Sequence, residues 1–529
     1  MAPLGGISWM GRVDAVLASV SDMLYSWGLM WLLIGAGIFF TVRTGAVQLR
    51  HTDAIAASVI GSRDGSHGGI TSFQAFAVGL ACRVGTGNIV GVALALILGG
   101  PGAVLWMWLV AILGTATAFS EATLAQLFKV RRPDGTFRGG PAYYISRGLG
   151  LPILGGVFAV VFLIANGLVM PMVQANAITV ALERAGGLSP SLGAVLVVAL
   201  TAPVLLGGLR AMARVAEYLA PLMALAYLAL VLAILLTHPV QALEALTSII
   251  EGAFGLRQGL GGLAGGVTAA LLNGVRRGLF SNEAGLGGAA CAAGSATVSH
   301  PVQQGFIQAF GVVVDTLFVC TATALAILVA GADVLHPVVS AKESAGTLTQ
   351  DAIAHLVGEW SRWPMALLVV VLAYTTIIGA FSYAQVCLDY LTDRPWVARA
   401  LQIGLDLLDA AFFAHFFIPF LIAETSLAKF APRELREARC AFNAFNFLPP
   451  RSAKIPVGSR RTAPTMRKLA HMGRNAASTW TKVMRIMAKA KIPVKAAAAT
   501  RTPPTVSLGI AALTLAFAYS TSSCTSVAT

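Results

Sequence analysis

The nine residues RVGTGNIVG, Arg83 to Gly91, stand inside an apolar run that extends from about residue 71 to 98. Three glycines, a threonine and an asparagine at mid-span are foreign to a plain apolar helix. Glycine lets the backbone leave helical geometry, and the carbonyl and N–H groups so freed have to meet a ligand, an ion or water. Close helix packing by small residues is the other explanation. The polar side chains of Arg83 and Asn88, so near the glycines, favour a functional break.

Outward from this stretch the chain is apolar nearly throughout. Of 529 residues 57% are hydrophobic and 11% charged, against about 25% charged in soluble domains. A mean hydropathy of +0.76 over such a length requires many membrane spans. A span needs roughly 20 apolar residues. Runs of that kind lie at about 21–42, 71–98, 102–128, 153–182, 191–208, 216–237, 264–291, 303–331 and 363–390, with a weaker tenth near 400–428. The expected class is an all-α membrane protein with about 10–11 transmembrane helices. Alternate loops carry 12 basic residues (Arg43, Arg50, Arg63; Lys129, Arg131, Arg132, Arg138, Arg147; Arg210, Arg214; Arg394, Arg399) against five on the other side (Arg12, Arg184, Arg257, Lys342, Arg362). The basic side is cytoplasmic by the positive-inside rule, which puts the N-terminus outside. No basic start followed by a short apolar core marks a cleavable signal.

Two further segments are polar where a lipid-facing helix would not be. NGVRRGLFSNEAGLGGAA, Asn273 to Ala290, gathers Asn273, Arg276, Arg277, Ser281, Asn282 and Glu283. Charges at membrane depth are costly and pair or line a cavity; a loop is the plainer alternative. AYTTIIGAFSYAQ, Ala373 to Gln385, reads as a third interrupted segment, with hydroxyls at Thr375, Thr376 and Ser382. These are oxygen ligands for a hard cation, or they bond their own helix carbonyls. Glu121, in FSEATLAQLF, is a candidate partner for a basic group such as Arg83. VMPMVQANAI carries Gln174 and Asn176, either helix glue or ligand contacts. Two broken helices in separate parts of the chain point to a midplane site between inverted repeats, where half-helix N-termini attract a carboxylate and unwound carbonyls hold sodium. The candidate substrate residues are Thr86, Gly87, Asn88, Gln174, Asn176, Ser281 and Asn282, with Arg83, Glu121 and Glu283 as a gating or ion-pair group.

The net charge of +14 has one origin. Of 37 basic residues, 14 lie from Arg439 onward, where no acid occurs, leaving 23 to match the 23 acids of the body. The tail lacks interleaved aromatics, which argues against nucleic acid. The six cysteines form no CxxC pair and read as buried thiols. No Ser/His/Asp set or metal-ligand spacing suggests an enzyme, and a channel would not need two broken helices around an occluded site. Three regions are expected: a core at 1–395, an atypical segment at 396–430 and a basic, Pro-rich tail at 431–529. The tail is what a shifted reading frame produces; a genuine tail binding anionic membrane lipid is the alternative.

GTGNIVGVALALILGGPGAVLWMWLVAILG, RGGPAYYI, MVQANAI and RGLFSNEAGLG resemble the bacterial alanine/glycine:cation symporters, also called sodium:alanine symporters, over about residues 20–395. The chain departs from them at Leu105 and Pro171 and has no counterpart of their last helices after about residue 400. The resemblance implies a leucine-transporter-type inverted repeat with an extra N-terminal helix, in a bacterial inner membrane. It implies uptake of alanine or glycine coupled to Na⁺, in some members to H⁺, with no other cofactor. It also implies a sodium site between the first broken helix and the third segment, here Gly85, Thr375 and Thr376. A transport-incompetent remnant is the competing expectation.

Overall fold

The computed structural model describes residues 19–394, apart from 21–22, 64–68, 256–262, 332–333 and 336–340, together with residue 404. The segments expected at 396–430 and 431–529 fall outside these, residue 404 excepted.

The described part is almost wholly helical, with one two-residue hairpin pairing Val130–Arg131 with Phe137–Arg138. Five helices are long and apolar enough to cross a membrane: Ala103–Leu127, Pro152–Gly186, Gly208–Thr237, Pro301–Ala330 and Glu359–Leu391. A bent pair, Ser72–Arg83 and Thr86–Gly99, makes a sixth span, and Met30–Arg43 and Leu192–Leu206 are shorter apolar helices. The chain is therefore a multi-pass membrane protein.

The first broken span is shaped by its ends. Thr71 and Gln74 form a capping box, each side chain accepting the other's backbone N–H at 3.0 Å, which satisfies two donors that a helix start leaves orphaned. The helix then stops at Arg83. Thr86–Asn88 make one tight turn, Val90–Gly99 resumes, and the two halves are bent by 49°. Gly85 is required at the break because a Cβ there would run into Thr376 Oγ1. The second broken span stops at Asn282 and resumes as Gly288–Ser295. Between them Glu283 takes a left-handed φ of 52°, and Gly285 and Gly287 lie at 88° and 89°; such backbone does not continue a right-handed helix.

The third segment is not interrupted. Arg362–Leu391 is one helix of 30 residues. Its hydroxyls bond back to it: Thr375 to Leu372 O at 2.9 Å, Thr376 to Leu372 O at 3.0 Å and Ser382 to Ile378 O at 2.8 Å. Such bonds satisfy the hydroxyl inside the helix and leave the main chain intact.

Two helices form the frame. Arg362–Leu391 packs on Ser72–Arg83, on Gly208–Thr237 and on both halves of Pro152–Gly186. Ala103–Leu127 packs on Met30–Arg43, on both parts of the second broken span and on Pro301–Val312. The helices Pro152–Gly186 and Pro301–Ala330 each contain a π turn, at Ala165–Val169 and Val313–Cys320. In the first, the wide turn precedes Pro171, whose ring crowds the carbonyl four residues back in a regular α-helix.

Candidate functional site

Arg83 ends the first half-helix and is 2% exposed. Its Nε donates to Asn282 O at 3.0 Å, and its Nη1 donates to Gln308 O at 3.1 Å and to Gln308 Oε1 at 3.2 Å. One guanidinium thereby links both breaks to the Pro301–Ala330 helix. Its planar fork of donors suits two carbonyls at once.

The centre is organised by Asp315, in the π turn, with no exposed surface. Asn88 Nδ2 donates to its Oδ1 at 2.5 Å, and Ser281 Oγ and Thr316 Oγ1 donate to its Oδ2 at 2.9 and 2.7 Å. Asn88 and Ser281 belong to the two breaks, so a single carboxylate gathers both. Asn88 is itself oriented by Gly85 N, which donates to its Oδ1 at 3.2 Å. Asp315 is not among the residues that the sequence reading singles out. Its signal was a lone acid in GVVVDTLFVCTATALAILVAG, residues 311–331, and an ionisable group at membrane depth is functional by default.

The other expected residues sort around this cluster. Thr86 Oγ1 donates to Gln174 Oε1 at 2.8 Å. Gly87 faces Phe280, the residue before Ser281, with 3.6 Å from a built Cβ to the ring. Asn176 is two residues past Gln174, about 200° round the helix, and is half-buried there, its carbonyl accepting from Thr179. The structure does not bring Asn176 to the Thr86–Gln174 pair. Asn282 turns inward through its backbone, while its Oδ1 caps Ala284 N at 3.0 Å.

The adjacent threonines differ. Thr376 Oγ1 also donates to Ala81 O at 2.8 Å, across to the last turn of the first half-helix, and lies against Gly85. Thr375 Oγ1 points to Met223 Sδ at 3.2 Å instead. Only Thr376 joins Gly85 at the first break.

Glu121, on the Ala103–Leu127 helix, faces the backbone N–H groups of Gly285 and Gly287 in the second break. Glu283 lies beside Gly288 and the Tyr383 ring. Arg83 is in electrostatic reach of Glu121, Glu283 and Asp315 alike. The expected grouping of Arg83 with these two glutamates thus exists as proximity, without a direct salt bridge among the described residues.

Two ion-pair networks flank the centre, both built on the Arg362–Leu391 helix. At one end Arg138 Nε meets Asp389 Oδ2 at 2.6 Å and Arg132 Nη1 meets Asp389 Oδ1 at 3.1 Å, tying the hairpin to that helix. At the other, Asp351 joins Arg184 at 2.9 Å and Arg362 at 3.1 Å. The buried cysteines described, Cys82, Cys291, Cys320 and Cys387, are free thiols.

The family model described as the sodium:alanine symporter family matches residues 10–413. The chain belongs to the sodium:alanine symporter family. Among curated relatives of this chain, the "Probable sodium/glutamine symporter GlnT" of Bacillus subtilis is 39% identical over 394 residues, covering 74% of this chain and 80% of that one. The "Amino-acid carrier protein AlsT" of Bacillus subtilis is 40% identical, covering 71% and 78%. The "Sodium/alanine symporter AgcS" of Methanococcus maripaludis is 36% identical, covering 69% and 82%. The resemblance read from the motifs is thereby established. The family's match stops at residue 413, within the segment expected to be atypical, and residues 414–529 lie outside it.

Proposed function

We propose that this symporter takes up a small neutral amino acid, alanine or glycine, with sodium, across the bacterial plasma membrane. The observation that carries the reading is Asp315, a buried carboxylate bonded to Asn88 of one break and Ser281 of the other. A zwitterion offers an ammonium, which a carboxylate attracts, and a carboxylate, which the N-terminal end of a half-helix attracts. Thr86 and Gly87 head the second half-helix of the first break. The inverted repeat would set the two breaks face to face at the midplane, with the basic loops in the cytoplasm and the N-terminus outside. In this reading Gly85 and Thr376 flank the sodium position, and the hydroxyls and carbonyls there are oxygen ligands for a hard cation. The names of the relatives, one for glutamine and one for alanine, support an amino-acid substrate and make glutamine the natural competitor.

The test is uptake of radiolabelled alanine by the full chain in proteoliposomes, under an inward sodium gradient and then a potassium gradient, with glycine and glutamine as competitors. Sodium-dependent uptake that glycine blocks is expected. Because the family match ends at residue 413, a transport-incompetent product is the rival reading. It wins if uptake equals that of protein-free liposomes.

A further inference from the structure

Around the second break, buried polar atoms are left short of partners: Arg83 Nη2, Asn282 Nδ2, Thr117 Oγ1 and Glu121 Oε1 close no hydrogen bond, and Glu283 Oε2 and Tyr383 Oη have only each other and the Cys82 thiol at hand. They come from four helices and the break itself, and they converge on it. Gly114, Thr117 and Glu121 form one stripe of the Ala103–Leu127 helix, at spacings of three and four residues. A Cβ on Gly114 would lie 3.3 Å from Asn282 Nδ2, and a Cβ on Gly285 3.3 Å from Thr117 Cγ2. On the opposite side Glu283 Oε2 and Tyr383 both border Gly288.

Charge does not balance there. Arg83 is one cation in reach of three carboxylates. Asp315 is satisfied by side-chain donors from Asn88, Ser281 and Thr316. Glu121 keeps an oxygen without a partner, and Glu283 keeps one with only the Tyr383 hydroxyl beside it. A buried carboxylate left this way is neutralised by a proton or by a cation. The donor set decides between them. Arg83 Nη2 and Asn282 Nδ2 are N–H donors and ligate no metal ion. Arg83 also carries a positive charge that opposes a metal cation beside it, which leaves a proton as the neutralising charge.

We propose that Glu121 and Glu283 form a proton-binding centre at the second break, separate from the Asp315 cluster, and that its proton competes with sodium. Each added positive charge beside Arg83 opposes the other, and the coupling is reciprocal. The groups facing the pair are Arg83 and Cys82 from the first half-helix, Asp315 from Pro301–Ala330 and Tyr383 from Arg362–Leu391, with Cys291 and Tyr144 on the Glu121 side. Tyr383 is the hydroxyl placed to pass a proton to or from Glu283. The proposal rests on the sodium-coupled reading above.

Sodium affinity of the purified full chain, measured by calorimetry from about pH 5.5 to 8.5, tests it. One proton displaced per sodium gives a fall of up to about tenfold per pH unit on the acid side. Glu283→Gln and Glu121→Gln should flatten that slope, and Glu283→Asp, which keeps a carboxyl, should preserve it. In weakly buffered solution, wild-type protein should also release protons on sodium addition, a reading that needs no variant to fold. An unchanged slope in both Gln variants, or a wild-type chain that binds sodium with a flat pH profile and releases no proton, overturns the centre alone. A chain that binds neither sodium nor alanine overturns the sodium-coupled reading with it.

Discussion

Arg83 Nε donates to the backbone carbonyl of Asn282 at 3.0 Å, so the last residue of one half-helix is tied to the last residue of another. The two breaks are 199 positions apart in sequence and share one guanidinium. Lysine at this position keeps the charge and loses the fork. Hydrogen bonds to a charged group are worth about 1.5–3 kcal/mol. Arg83→Lys should therefore lower the melting temperature in detergent and cut alanine uptake at least tenfold. Normal uptake by this variant would show that the breaks hold their geometry without the link.

Asp315→Asn keeps the shape and removes the charge that the proposed function sets opposite the substrate ammonium. The apparent affinity for alanine should fall tenfold or more, equivalent to about 1.4 kcal/mol. The melting temperature should fall as well, since both Asp315 oxygens accept hydrogen bonds and the amide keeps only one acceptor. Unaltered alanine affinity in a folded variant would remove Asp315 from the substrate site.

The structure separates the two threonines of the Arg362–Leu391 helix. Thr376 reaches Ala81 O, whereas Thr375 reaches Met223. Thr376→Ala should raise the sodium concentration for half-maximal uptake roughly fivefold, about 1 kcal/mol, and Thr376→Ser should be mild. Thr375→Ala should leave the sodium curve nearly unmoved. If both alanine variants leave the sodium curve unmoved, neither hydroxyl is a sodium ligand.

Asp389 is shared by Arg132 and Arg138 and is 7% exposed. Removing one member of a buried ion pair costs about 3–5 kcal/mol. Asp389→Ala should release the 130–138 hairpin, measured as faster amide exchange there, while the Asp351 network keeps its protection.

The breaks were legible in the sequence because glycine and polar residues are out of place in apolar spans. The third segment is not interrupted, and of the two roles its hydroxyls offered the structure bears out bonding to the helix itself: Thr375, Thr376 and Ser382 each return a hydroxyl to a carbonyl three or four residues back, and the helix continues. Asn176 illustrates a spacing effect: two residues on a helix face nearly opposite ways, so grouping it with Gln174 conflicts with the period. Asp315 was visible as a lone acid. Its importance depends on Asn88 and Ser281, which lie 227 and 34 positions away, and only folding brings them to it.

The π turn at Val313–Cys320 also sets phase. A wide turn takes in about one residue more than an α-helical turn, so everything beyond it is rotated by roughly 100° from where an unbroken α-helix would put it. That offset aims Thr321 at Trp108 Nε1, 2.7 Å away, and Thr323 at Tyr227 Oη, also 2.7 Å away. Deleting a single residue such as Val314, with the turn closing to regular α geometry, would cancel that offset and keep Thr321 and Thr323 on their partners, while Asp315, inside the turn, would lose its place. In this part of the chain a one-residue deletion is therefore absorbed by the later half of the helix and felt by the carboxylate.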